Sequence, residues 1–165
     1  VNFDGGNGTG TVATATLNTI GSGGNPGEYG RIDLAWGGQF SSGVVAYFST
    51  GQSYTPATAD EIISITYNED QKYFSGTSGG QAWWLMVKQG DQTKLVFGGT
   101  TGNSTSWVTK TLNTSLSSIE LTPTPGVPIY FGFVRSNQNG NDSNGIFSTS
   151  IGIDNWTVTV NVSCP

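Results

Sequence analysis

The 165-residue chain carries 22 Val and Ile and a further 22 Thr against only 7 Leu. Branching at Cβ restricts the first side-chain torsion and crowds a helix, whereas the same side chains pack well on a pleated, half-buried surface. An excess of this size rules out an all-α protein. It does not mark a disordered chain either, because the net charge is only −5 and 19 aromatic residues supply surface for a core. The length suits one domain, so residues 1–165 are expected to form a single unit.

Short apolar-alternating runs separated by turn chemistry follow one another along the chain, without an internal repeat. The expected strands are Val12–Leu17, Arg31–Trp36, Val44–Phe48, Ile62–Tyr67, Ala82–Val87, Lys94–Phe97, Ser118–Leu121, Ile129–Val134 and Trp156–Val162. Gly-rich or polar stretches join them, the longest being residues 137–145 with its two Asn-Gly pairs. Pro123, Pro125 and Pro128 precede the Ile129 run, where proline costs no ladder hydrogen bond. This pattern predicts an all-β, single antiparallel β-sandwich of the jelly-roll type, with no helix.

Composition removes whole classes of chemistry. The chain has no His, which excludes Ser-His-Asp and Cys-His catalysis, histidine-ligated metals and any imidazole switch. Its six basic residues, at positions 31, 72, 88, 94, 110 and 135, are too scattered to track a phosphate backbone, so nucleic acid and anionic membranes are not expected partners. Runs such as Ala82–Val87 and Ile129–Val134 fall far short of the roughly 20 apolar residues that span a bilayer, so membrane insertion is not expected. The chain reads as a mature soluble fragment. Its one cysteine, Cys164, cannot form a bridge within the sequence. A charge-poor surface rich in Thr, Ser, Asn and Gly fits a secreted or cell-surface β-domain. The six N-x-S/T sequons add little in a chain of this composition.

Glycoside hydrolysis needs two carboxylates facing each other across a cleft. Here Asp60-Glu61 and Glu69-Asp70 are adjacent pairs beside turns, and neighbours on a strand point to opposite faces. Neither pair is a ready acid and base, and an enzyme is not expected.

The aromatic residues are more informative, because a flat ring offers an apolar face to the C–H face of a sugar while nearby amides and hydroxyls bind its hydroxyl groups. Trp36 alternates with Leu34 and Ile32, and Trp156 with Val158, Val160 and Val162, which places both in the core. Trp83 and Trp84 are consecutive, so one must point to each face: Trp83 with Leu85 and Val87, Trp84 with Met86 and Lys88. Trp84 is the candidate for exposure. Trp107 ends a polar loop at a strand junction, and Tyr29, Arg31 and Asp33 lie beside a Gly-rich turn where they would form a polar rim. Trp84, Trp107, Tyr29, Arg31 and Asp33 are therefore the candidate ligand-binding residues. For calcium, which takes oxygen ligands, Asp4, Asn7, Asp142 and Asp154 are the available nominees, without the spacing of a known calcium loop.

Trp107 before a strand, Leu112–Leu116, then Pro128-Ile-Tyr-Phe-Gly-Phe133, a polar loop and Ile151-Gly-Ile-Asp154-Asn-Trp-Thr-Val158 together form a recognisable order. It resembles the jelly-roll β-sandwiches of the MAM, cleaved-adhesin and carbohydrate-binding-module type, and Val1-Asn2-Phe3-Asp4 is similar to their opening step. The resemblance spans about 60 residues, with Asn155 in place of a commoner second acid. It implies that Asp4 and Asp154 share a structural calcium ion.

The function expected from these readings is non-catalytic: a carbohydrate-binding module of a secreted or surface-attached multidomain protein, with a polysaccharide or glycan as partner. The alternative is an adhesin or a viral or cell-surface protruding domain that works through protein contacts.

Overall fold

A computed structural model describes residues 2–5, 13–37, 43–57, 62–76, 81–138 and 146–163. Among the described residues, ten strands run in chain order as β1 (Asn2–Gly5), β2 (Ala13–Gly24), β3 (Gly27–Gly37), β4 (Gly43–Tyr54), β5 (Ile62–Gly76), β6 (Ala82–Gln89), β7 (Gln92–Thr100), β8 (Val108–Thr114), β9 (Ile129–Gln138) and β10 (Ile146–Val162). They form two five-stranded antiparallel sheets: sheet A in the order β1-β4-β9-β6-β7 and sheet B in the order β2-β3-β10-β5-β8. The expected all-β sandwich is the observed architecture.

Period-2 alternation sets what each strand contributes to the gap between the sheets. Ile32, Leu34 and Trp36 of β3 and Ile65 and Tyr67 of β5 are buried from sheet B, against Trp83, Leu85, Val87, Ile129, Phe131 and Phe133 from sheet A. Trp36 is fully buried, as its alternation predicts, and Trp156 packs partly buried against the core, edge-on to Tyr67 at 5.9 Å, while Tyr67 stacks on Trp83 at 5.5 Å.

Along β9 the buried side chains change from Phe131 and Phe133 to Arg135 and Asn137, so this end of the core is polar. The Glu69 carboxylate of β5 accepts hydrogen bonds from the Arg135 guanidinium, the Tyr67 hydroxyl and the Gln71 amide. Burial and the neighbouring carboxylate push the Tyr67 hydroxyl far above the usual phenol range. Burial works against the Arg135 charge, but the charges and hydrogen bonds of Glu69 and Tyr67 together outweigh it and raise the guanidinium pKa.

Four strand expectations need correction, the first being β1, which pairs with β4 and is missing from the expected set. Ser118–Leu121 is a turn. Ser115 Oγ accepts the Ser118 N–H at 3.2 Å, and the Leu121 N–H returns to the Leu116 carbonyl at 3.0 Å. Serine turn chemistry thus overrides the apolar spacing, and Leu116 and Leu121 are buried anchors of the turn. The strand in that region is β8, which the expected set omits. As an edge strand it pairs, among the described residues, only with β5 and needs few apolar residues. Finally, β5 runs on to Gly76, so Glu69 and Asp70 sit in mid-strand and not beside a turn. They do face opposite ways: Glu69 lies in the core, while Asp70 accepts from Thr109 and the side chains of Asn25 and Asn155. Residues 139–145, most of the long polar loop, and Cys164 lie outside the described residues.

Candidate functional site

The five nominated ligand-binding residues divide between the two outer faces of the sandwich. Trp84 belongs to sheet A, and Tyr29, Arg31, Asp33 and Trp107 gather on sheet B.

On sheet A, Trp83 is buried and Trp84 is half-buried on the opposite face, as their adjacency demands. A bulge fixes the register around them. Trp83 pairs with Gly99, but Trp84 pairs with Phe97, and Gly98 is passed over. A Cβ on Gly98 would stand 2.1 Å from the Trp83 ring, so the ring lies directly against this backbone. Three rows then cross the outer face through β7, β6 and β9: Phe97-Trp84-Val134, Leu95-Met86-Gly132 and Thr93-Lys88-Tyr130. The Trp84 and Phe97 ring centroids are 5.7 Å apart with the planes tilted by 58°. Phe97 is 59% exposed, Tyr130 43% and Leu95 42%, whereas Met86 and Val134 are buried as a floor. Gly132 lowers the middle row further. Among the described side chains of these rows, Lys88 carries the one charge.

On sheet B, Arg31 of β3, Gly152 of β10 and Lys72 of β5 lie in one row, with Asp33 and Ser150 in the next. Tyr29 stacks on Phe74 at 5.3 Å and 23°, and Trp107 stands edge-on to both rings at 5.4 and 6.4 Å. Gly152 makes this grouping possible, because a Cβ there would be 2.7 Å from the Trp107 ring and 2.8 Å from that of Phe74. The Trp107 indole N–H donates to the Gly23 carbonyl at 3.1 Å, which ties the ring to the end of β2. Lys72 Nζ lies 5.1 Å from the Phe74 centroid and 5.8 Å from that of Trp107, in cation–π contact. Beside the rings, Arg31 Nε donates to Asp33 Oδ1 at 2.9 Å and Arg31 Nη2 to Ser150 Oγ at 3.0 Å, and Ser150 Oγ donates to Asp33 Oδ1. The Arg31 and Asp33 side chains are 43% and 36% exposed.

The two residues nominated for calcium belong to different sheets, Asp4 to β1 of sheet A and Asp154 to β10 of sheet B. The side chain of Asp4 lies outside the described residues, as do Asn7 and Asp142. The described partners of Asp154 are N–H donors: the backbone of Asn25 and, at 2.7 Å, the backbone of Asn155. These contacts hold the Asp154 carboxylate against the β2–β3 turn. Asn155 takes a positive φ of 48° at a register shift in β10, a conformation that Asn tolerates. Its side-chain amide reaches the Asn25 carbonyl and Asp70, pinning the β2–β3 turn to the sheet.

The sequence reading missed Phe97, Tyr130, Phe74 and Lys72. Phe97 and Tyr130 lie in expected strands, and alternation alone put Phe97 on one side of its strand without showing that a bulge aligns it with Trp84. Phe74 and Lys72 lie beyond the expected end of their strand.

No family model matches the chain, and no curated protein matches it. The likeness to solved structures is extensive and confined to the fold. A family 30 carbohydrate-binding module has 11% identity and a TM-score of 0.55 over 91% of this chain and 76% of that one. The family 30 module of the cellulosomal cellulase Cel9D-Cel44B of Clostridium thermocellum has 11% identity and a TM-score of 0.52 over 96% and 98% of the two chains. A structure described under the promiscuous specificity of carbohydrate-binding modules from the β-sandwich superfamily has 15% identity and a TM-score of 0.51 over 96% of this chain. This chain spans 56% of that one, a little over half its length. The sandwich is thus one that carbohydrate-binding modules use, and no family model supports the MAM and cleaved-adhesin part of the resemblance.

Proposed function

We propose that this domain is a non-catalytic carbohydrate-binding module that holds a polysaccharide on the outer face of sheet A. The observation that carries this reading is the Trp84–Phe97 ring pair on an open, almost uncharged sheet face. Sugar C–H faces stack on such rings, and the Tyr130 hydroxyl, Thr93 and Lys88 stand in the third row, beyond Leu95-Met86-Gly132, to bind hydroxyl groups further along a chain. The solved carbohydrate-binding modules that share the fold support the same reading, although fold alone does not assign a ligand. Secretion or surface attachment, within a longer multidomain protein, belongs to the proposal.

Affinity electrophoresis in gels containing xylan, mixed-linkage β-glucan or hydroxyethyl cellulose tests it. The wild type should be retarded by at least one polymer. Phe97→Ala and Trp84→Ala should run free with unchanged thermal midpoints. A folded wild type that no polymer retards would overturn the proposal.

The second reading, adhesion or assembly through protein contacts, draws on the exposure of Leu95 beside Phe97, since apolar patches of this kind also mark protein interfaces. Sedimentation velocity at rising concentration separates the two readings. A dimer that Phe97→Ala dissociates would favour assembly.

A further inference from the structure

The four nominated residues on sheet B have no part in the sheet A face, yet they make a separate platform. We infer that the outer face of sheet B is a second saccharide site, so that one domain can bridge two polysaccharide strands back to back; this rests on the carbohydrate-binding reading above.

Two kinds of group needed to hold a sugar stand side by side there. Tyr29, Phe74 and Trp107 form one half-buried apolar surface, locked together by ring contacts and by the bond from Trp107 to Gly23. Such a surface loses little side-chain entropy on binding, because its rings are already held. Arg31 lies two residues from Tyr29 on the same side of β3, roughly 7 Å along the strand. The guanidinium is a donor and the Asp33 carboxylate an acceptor, both partly exposed and held in register by Ser150. A donor and an acceptor fixed next to each other match two neighbouring sugar hydroxyls, one accepting from Arg31 and the other donating to Asp33.

Charge narrows the ligand class. Arg31 is neutralised by Asp33, and Asp70 lies on the same face as Lys72. With Asp154, which pairs with Asp70 across β10 and β5, the acidic groups on this face outnumber the basic ones, which suits a neutral saccharide better than a uronate. Gly152 sits beneath the rings and between Arg31 and Lys72, keeping the platform close to the sheet.

Isothermal titration with cellohexaose and with xylohexaose reads the number of sites per chain. The expected result is two sites for whichever hexasaccharide binds. Phe97→Ala should remove one, and Arg31→Ala with Asp33→Ala should weaken the other by at least about tenfold, as lost hydrogen bonds to charged groups do. The wild type should also raise the turbidity of a dilute solution of the polymer it binds, and each single-face variant should not. A single site abolished by Phe97→Ala and untouched by Arg31→Ala/Asp33→Ala would overturn this inference while leaving the sheet A proposal standing. A single site with the reverse sensitivity would overturn both the two-site inference and the sheet A assignment. A dimer dissolved by Arg31→Ala/Asp33→Ala, without saccharide binding at this face, would replace the second saccharide site with a protein contact.

Discussion

Glu69 and Arg135, one from each sheet, form an ion pair across the gap between the sheets with neither side chain reaching solvent. Two buried charges are tolerated because the Tyr67 hydroxyl and the Gln71 amide also donate to the carboxylate. Removing one partner leaves the other charge buried and unpaired. Arg135→Met and Glu69→Gln are each expected to lose about 3–5 kcal/mol in urea unfolding at neutral pH. The double variant Glu69→Leu/Arg135→Met should recover most of that loss. Equal stability of the single variants and the wild type would mean that the pair is hydrated in solution.

Acid sensitivity should centre on Asp70. Burial favours its protonated form, but hydrogen bonds from Asn155, Thr109 and Asn25 outweigh burial and hold the carboxyl below its ordinary value of 3.8. A carboxyl lowered in the folded state stabilises it above the unfolded pKa, and that stability disappears as pH falls through the folded value. The midpoint of thermal unfolding should therefore drop below about pH 4. Asp70→Asn should be less stable at neutral pH and show a shallower acid slope. An unchanged slope would remove Asp70 from this role.

Gly98 and Gly21 make a matched pair of substitutions. A Cβ on Gly98 meets the Trp83 ring at 2.1 Å, and that ring is buried and stacked on Tyr67, whereas a Cβ on Gly21 meets nothing within 4 Å. Gly98→Ala is expected to destabilise by about 1–3 kcal/mol, as overpacking does, and to alter the near-ultraviolet circular dichroism of Trp83. Gly21→Ala should be close to neutral.

Calcium gives a further check. With N–H donors around Asp154, thermal unfolding curves in calcium and in chelator should coincide. A midpoint raised by calcium and insensitive to Asp154→Asn would locate an ion elsewhere in the chain. A rise abolished by that variant would restore Asp154 as a ligand.

Much of the architecture was legible because strand alternation is a local property. The opposite fates of Trp83 and Trp84, and of Glu69 and Asp70, follow from adjacency on a strand. The misread segments fail for a local reason too. In Ser118–Leu121, serine hydroxyls compete for the backbone and make a turn out of apolar residues that resemble a strand. The Glu69–Arg135 pair was not legible, since nothing near either residue shows that each faces the other across the gap.

The sequence by itself determined that this chain is a β-sandwich and, for most strands, which side chains face inward, because a period of two needs no distant partner. Only the tertiary structure decided which outward residues share a face. Tyr29, Phe74 and Trp107 come from three separate stretches of chain, brought together as β10 pairs between β3 and β5 over a glycine that leaves room for their rings. Trp84 lies on the opposite outer face, beside a phenylalanine whose register depends on a bulge. Register between strands is set by contacts far apart in the chain, so a candidate residue could be named from its neighbours, and its partners could not.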